Sequence, residues 1–343
     1  MRLMITAAAL ALLGACASYP TVTPVRETAI VHSVEDSADD PAIWVAADPL
    51  QSLVIGTQKK GGLYIYDLNG ALVQEVPGGQ PNNVDLRDGF AWAEGASPIV
   101  AASDRSDNSI AIWRLDPATR QLDATPRARI ATGFVEVYGF CLGRMGEDFV
   151  AIATDRDSGD LGVWRIVAGA DGALTGERIV TYSLGTISEG CVVDDETGDY
   201  YIAQEDSAIW RAALSDATGE GRRTIDRIGE GELHADIEGL GLWLAPNGGG
   251  YLVASIQGKN RFAVYDRGGD NAFRGVFRIG ATADGAIDGV QGTDGLDVTS
   301  APLGPDFPQG LLVLHDDPNT LPRDRENFKY VSWADVAAAL GLD

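Results

Sequence analysis

Histidine is scarce in this chain of 343 residues: His32, His234 and His315 are the only three. A His-rich transition-metal centre therefore has little to be built from, and no His-rich phosphatase signature is present. Cysteine is equally sparse, limited to Cys16, Cys141 and Cys191, with no CxxC and no Cys/His zinc spacing. No Ser/His or Cys/His nucleophile pair stands out, so a covalent enzyme intermediate is not indicated. Basic residues are few, 26 Lys and Arg against 50 Asp and Glu, for a net charge of −24. A surface that acidic repels nucleic acid and anionic membranes, so neither is expected as a partner. Long apolar runs are missing after residue 13, and no amphipathic helical pattern appears before residue 333.

What is present begins with a leader. Met1 and Arg2 form a short positive region, 3–13 is mainly apolar, and Leu13-Gly14-Ala15-Cys16 follows. The apolar stretch is too short for a retained membrane helix and reads as a secretory signal over 1–15. The box around Cys16 points to a lipoprotein, with Cys16 as lipid anchor; cleavage after Ala15 without lipidation is the alternative. The product is expected to be exported, as an outer-membrane lipoprotein or a periplasmic or extracellular protein. Residues 16–26 read as a linker and 27–343 as one domain, expected to be a monomer. Cys141 and Cys191 are expected to be free, buried thiols: they hold comparable places in consecutive units, and inner strands of adjacent units are expected to lie too far apart for a disulfide.

The domain is repetitive. An acidic or polar residue, usually then Gly, leads into alternating apolar residues at positions 40, 83, 138, 189, 238 and 294, spaced by 43, 55, 51, 49 and 56 residues. Each lead is followed by a second apolar strand, a polar loop and a third strand. Six such units predict an all-β fold, a six-bladed β-propeller, because a ring of blades protects edges that an open sheet would leave bare. The run 27–34 precedes the first unit and has no blade of its own, so it is expected to close the last one.

Propeller geometry sends every lead residue and every loop between second and third strands to one mouth. The leads bring Asp39/Asp40, Asn82/Asn83, Tyr138, Glu189, Asp236/Glu238 and Asp294. The loops bring Lys59/Lys60, Arg105, Arg156/Asp157, Glu205, Gln257/Lys259 and Asp316/Asp317. Any one Asp-Gly or Glu-Gly pair is ordinary turn chemistry. Six leads in register at blade spacing, all aimed at one mouth, are a different matter: the close carboxylates among them repel one another unless cations sit between them. Oxygen donors and an exported protein suit calcium, and the chain has no EF-hand loop. Lys59, Arg105 and Arg156 beside such a cluster can grip phosphate oxygens. Lys59 and Arg105 are expected at the mouth, apart from the channel carboxylates.

DDPAIW, NNVDLR, EVYGF, SEG followed by AQEDSAIW, DIEGL, SIQG and TDGLDV occur in this order across roughly residues 27–335. In these strings the chain resembles the β-propeller (alkaline) phytases. The resemblance implies structural calcium ions and a calcium cluster that binds phytate and lower inositol phosphates. Carried over by position, the family's active-site carboxylates fall on Glu27, Asp39 or Asp40, Glu189, Glu205, Asp236, Glu238, Asp288 and Asp294. Tyr138 and Gln257 match further metal-shell positions, and Lys59 and Arg105 match phosphate-binding cations. Arg156-Asp157 stands where the family often has Lys-Glu, keeping the charges but shortening the acid. The implied activity is calcium-dependent phosphomonoester hydrolysis of the 3-phytase type, by direct attack of a metal-bound water. Glu189, Glu238, Lys59, Arg105 and Tyr138 form the expected catalytic set, and Lys59, Arg105, Arg156 and Asp157 the substrate contacts. The rival readings are a calcium-dependent lactonase or esterase and a non-enzymatic calcium-stabilised binding propeller; a mouth made for a neutral lactone does not require three adjacent cationic loops.

Overall fold

The computed structural model describes residues 19–320 and 323–343; the leader at 1–15 and Cys16 lie outside the described residues. Six antiparallel sheets follow one another along the chain. Their inner strands are Ala38–Trp44, Pro81–Trp92, Val137–Met145, Ser188–Asp194, Ile237–Leu244 and Leu296–Thr299, so five begin one or two residues before a lead position and the sixth begins two residues after one. The blades are strung outward in chain order, as in Ala38–Trp44, Leu53–Gln58, Gly62–Asp67 and Leu72–Pro77 for the first.

Apolar side chains fill each interface between neighbouring blades. Trp44, Ile55 and Ile65 of the first blade pack with Leu86, Val100 and Trp113 of the second. Comparable clusters join second to third, third to fourth, fourth to fifth, fifth to sixth and sixth to first. A strand buried on both faces needs apolar residues at consecutive positions, which is why Leu53–Gln58 and Gly62–Asp67 carry nearly continuous apolar runs.

The ring closes as the sequence suggests. Arg26–Glu27 pairs antiparallel with Arg323–Ser332 and becomes the outer strand of the sixth blade. The reading of 16–26 as a linker needs correction. Thr21–Val22 pairs in parallel with Phe273–Ile279 on the fifth blade, so this stretch is anchored by backbone hydrogen bonds on both sides of the closure. Helix Trp333–Leu340 ends the chain, with Trp333 stacked on Trp243 at 5.3 Å between ring centres.

The expectation of free thiols is overturned. Cys141 and Cys191 form a disulfide, with Cα atoms 5.5 Å apart. Inner strands approach more closely than the sequence argument assumed, because glycines line their boundary. A Cβ placed on Gly139 would lie 2.2 Å from the Glu189 carbonyl oxygen, and one on Gly143 would collide with Val193.

Candidate active site

Five of the six inner strands lose register with their neighbour at the same place. The irregularities span Ala38/Pro41, Pro81/Val84, Val137/Phe140, Ser188/Cys191 and Ile237/Leu240. A bulge leaves residues unpaired and re-aims their side chains. Here the unpaired residues are Asp39-Asp40, Asn82-Asn83, Tyr138-Gly139, Glu189-Gly190 and Glu238-Gly239. The repeated motif is therefore a bulge motif, not a turn.

Glycine follows the acid because the next blade crosses at that point. A Cβ on Gly190 would sit 1.9 Å from the Glu238 carbonyl oxygen, and one on Gly295 would sit 2.1 Å from Asp40 Oδ1. Hydroxyls on the second strands satisfy the backbone that the bulges free. Thr57 Oγ1 accepts from Asp40 N at 2.9 Å, and Thr154 Oγ1 accepts from Gly139 N at 2.9 Å while donating to Ser188 O at 2.6 Å. Each lead is thus held by two blades.

The bulge decides between the adjacent aspartates. Asp40 Oδ2 accepts the Val84 N–H at 3.0 Å and staples the first blade to the second. It lines the central channel, a cavity of about 360 Å³ walled by Ile43, Leu86, Leu240 and Leu242. Asp39 instead meets Lys59, whose Nζ lies 2.8 Å from Asp39 Oδ2, 2.5 Å from Asp36 Oδ1 and 3.0 Å from Asp294 Oδ2. Lys59 was expected apart from the channel carboxylates; it stands among them, because its loop folds over Asp36 and Ser37.

Glu189, Glu205 and Glu238 bring one carboxylate oxygen each within 4.8 Å of one another, all three side chains buried. Asn82 donates to Glu189 Oε1, Gln257 donates to Asp294 Oδ1, and the Tyr138 phenol lies against the Glu189 and Glu205 carboxylates. Burial, then the Glu189 and Asp236 charges, push Glu205 up to about 8. Glu238 is raised by burial and by Glu189, and Asp39 by burial against the opposing pull of Lys59. The Tyr138 phenol is raised by burial and by the Glu189, Glu238 and Glu205 carboxylates, which keeps it a hydrogen donor. Lys59 is held charged, since Asp39 and Asp294 outweigh its burial.

Four buried oxygens here, Asp39 Oδ1, Asn82 Oδ1, Glu205 Oε1 and Glu238 Oε2, have no hydrogen-bond donor from the protein. Orphaned acceptors of this kind are costly unless a cation meets them. An all-oxygen donor set of carboxylates, an amide and a phenol fits a hard divalent cation such as calcium.

Other sequence-derived positions lie around this cluster or outside it. Asp236 is exposed at the rim and reaches Glu205 electrostatically. Arg105 and Arg156 approach Glu136 Oε1 at 4.0 Å and 3.6 Å, and the Arg156 guanidinium lies 5.7 Å from the centre of the Tyr138 ring. Asp157 is an exposed residue of the same turn and adds no carboxylate to the cluster. Glu27 and Asp288 are elsewhere: with Asp316 they surround the fully buried Lys329, whose Nζ lies 2.7, 2.8 and 2.9 Å from Glu27 Oε2, Asp288 Oδ1 and Asp316 Oδ2. An ammonium already stands among these three carboxylates.

Five residues escaped the sequence reading, Asp36 and Lys329 among them. Glu136 sits between two arginines, and only its place in the EVYGF string could have drawn attention to it. His315 and Glu326 are buried behind Asp294 and Asp39, and no local pattern marks them.

The fold and mouth define a class: a six-bladed propeller with an oxygen-lined, cation-bordered pocket at one end of its channel. The sequence model of the family described as Phytase matches residues 2–343. A 3-phytase of Bacillus subtilis (strain 168) is 41% identical over 329 residues, covering 93% of this chain and 85% of that protein. The chain belongs to the phytase family. Among solved structures, Kuenenia stuttgartiensis hydrazine synthase aligns over 84% of this chain and 83% of its own, at 13% identity and a TM-score of 0.48. A protein of unknown function from Desulfotomaculum acetoxidans DSM 771 covers 69% of this chain and 70% of its own, at 12% identity and a TM-score of 0.46. Neither likeness carries an argument at those scores.

Proposed function

We propose that the protein is a phosphoric monoester hydrolase that removes phosphate from phytate and lower inositol phosphates, with calcium bound at the mouth. The observation that carries this reading is the buried Glu189, Glu205 and Glu238 cluster bordered by Lys59, Arg105 and Arg156. A neutral substrate has no use for that border; a substrate bearing several phosphates needs both the cations and the metal ligands. Family membership and the identity to a 3-phytase support the same substrate.

Asp39, Glu189, Glu205, Glu238 and Asp294, with Tyr138 and Gln257, would hold calcium. When bound, calcium supplies positive charge that polarises a phosphoryl oxygen and offsets the clustered carboxylates. The remaining work falls to side chains of the protein. Arg105 and Arg156 orient a phosphate through charge-assisted hydrogen bonds, with Glu136 holding the pair when no substrate is bound. Lys59 meets charge that develops on the transferred phosphoryl group. Tyr138 donates a proton in a hydrogen bond without giving it up, and Glu205 Oε1 is placed to accept one from an attacking water. The bulges keep these groups fixed, so little reorganisation accompanies reaction.

The protein is proposed to act as an exported monomer, lipid-anchored through Cys16. Support comes from the leader composition and from a disulfide suited to an oxidising compartment. The test of function is phosphate release from phytate, before and after exhaustive chelation and after calcium is restored. Turnover of a lactone or ester in place of phytate would favour the rival enzyme, and no turnover of either would favour a binding propeller.

A further inference from the structure

Behind the mouth, two buried residues of the sixth blade complete a closed circuit around Lys59. Glu326 Oε2 accepts from Ser37 N at 2.7 Å, Ala38 N at 2.5 Å and Ser37 Oγ at 3.2 Å, which fixes the turn leading into Asp39. Ser37 O in turn accepts from Lys59 N at 2.6 Å. On the other side, His315 Nδ1 accepts the Asp294 N–H at 3.2 Å, and His315 N donates to Gly295 O at 3.1 Å. His315 Nε2 faces Glu326 Oε2 at 3.5 Å. With Nδ1 occupied as an acceptor, the ring proton belongs on Nε2, directed at Glu326. The circuit runs from Lys59 Nζ through Asp294, His315, Glu326 and Ser37 back to Lys59 N. His315 and Glu326 are 1% and 2% exposed, so neither can touch substrate.

We infer that His315 and Glu326 are a positioning couple that sets Asp39 and Asp294 on either side of Lys59 and so aims its ammonium into the mouth. A couple serving stability alone would have no reason to hold both walls of the Lys59 site. Asp36, Asp39 and Asp294 clamp the Lys59 amine, and two of these three are placed by the couple. The inference deepens the proposed reading of Lys59 as the group facing the transferred phosphate, and the test keeps the two apart.

The test uses the full-length protein and two readouts. The first is the rate at which an amine-acylating reagent labels Lys59, followed by peptide mass spectrometry with Lys259 as internal reference; the chain has only four lysines. The second is kcat and KM for phytate. His315→Leu is expected to speed Lys59 labelling and lower kcat, each about tenfold, with KM changed less. His315→Gln can still accept from Asp294 and donate to Glu326, and is expected to return both readouts to within about threefold of the parent. Glu326→Gln keeps the shape but removes the acceptor charge, and is expected to resemble His315→Leu; it carries the same test should the leucine variant fail to fold. In a Lys59→Ala background, His315→Leu is expected to cost nothing further. Unchanged Lys59 labelling in both disruptive variants, or losses that multiply in the double variant, would overturn the inference. Silent Lys59→Ala kinetics would instead sink the phosphate-facing reading of Lys59, while the labelling result would still decide whether the couple positions it.

Discussion

Glu189 and Glu238 meet across the boundary of the fourth and fifth blades, with carboxylate oxygens within 4.8 Å and the Glu238 carbonyl where a side chain on Gly190 would begin. Two acids are pressed together by the same close approach that excludes a Cβ between them. Such a pair holds a proton or a cation, and the following predictions turn on which.

The first concerns pH. In metal-free protein Glu205 lies at about 8 against an ordinary 4.5, so the native state binds more protons than the unfolded state between those values. The contribution to stability is complete below about pH 4.5 and is lost as pH rises through about 8. Asp194, where Arg267 outweighs burial, is held below 3.8 and titrates outside this window. The melting temperature in chelator should fall between about pH 5 and about pH 9, and excess calcium should flatten that fall. Calorimetry in buffers of differing ionisation enthalpy should detect protons released as calcium binds. A flat profile without metal and no proton release would contradict the assignment.

Gly190→Ala tests the close approach. Its Cβ would lie 1.9 Å from a backbone oxygen, which no side-chain rotation relieves. A loss of about 1–3 kcal/mol or more is expected from thermal or urea unfolding. Calcium affinity should fall as well, because the strand that must move carries Glu238. Ala at Gly146, where a Cβ meets nothing, is the wrong control, since its φ of 64° adds strain of another kind.

The disulfide gives a third expectation. Cys141 and Cys191 close a loop of 50 residues and tie together the strands that carry Tyr138 and Glu189. Replacing both with Ala should cost about 2–4 kcal/mol of stability. It should also raise the calcium concentration needed for half-maximal stabilisation. Protein denatured without reductant should show no alkylatable thiol at either position, and one that alkylates at both would argue for the free pair.

Phosphate recognition is separable from metal binding at Arg105. This side chain borders the mouth, 4.0 Å from Glu136. Arg105→Ala should leave calcium-dependent melting nearly unchanged and reduce kcat/KM for phytate about ten- to a hundredfold, as expected for a charge-assisted contact of about 1.5–3 kcal/mol. Glu238→Ala should weaken calcium binding and activity together. Lys59→Ala is a less clean probe, since it leaves Asp39 and Asp294 without their shared cation and should steepen the dependence on calcium. Equal kinetics for Arg105→Ala and the parent would reduce Arg105 to an ion-pair partner of Glu136.

Much of the architecture was legible because propeller blades repeat. An acidic or polar residue leading into apolar residues recurred six times, and 27–34 had no blade unless it closed the ring. The lead residues were legible as a set for the same reason. Their individual fates were not. Asp39 and Asp40 are neighbours in sequence, yet the bulge sends one to Lys59 and the other to the Val84 N–H. Glu27 and Asp288 match the family's metal ligands by position, but Lys329 stands between them, 302 residues along the chain from Glu27. Nothing in the ten-residue strand Arg323–Ser332 announces that Lys329 will be buried among three carboxylates.

Six recurring units of a polar lead and short apolar strands, read alone, determined that this chain forms blades with acids at one mouth, because strands buried on both faces need nearly continuous apolar runs wherever they occur. Only the tertiary structure decided which oxygens share a cation, that Cys141 reaches Cys191, and that His315 and Glu326 stand behind Lys59. Those facts depend on separations of a few ångströms between strands that meet only when the ring closes. No local pattern encodes such distances: they are set by how far glycine lets one backbone approach the next.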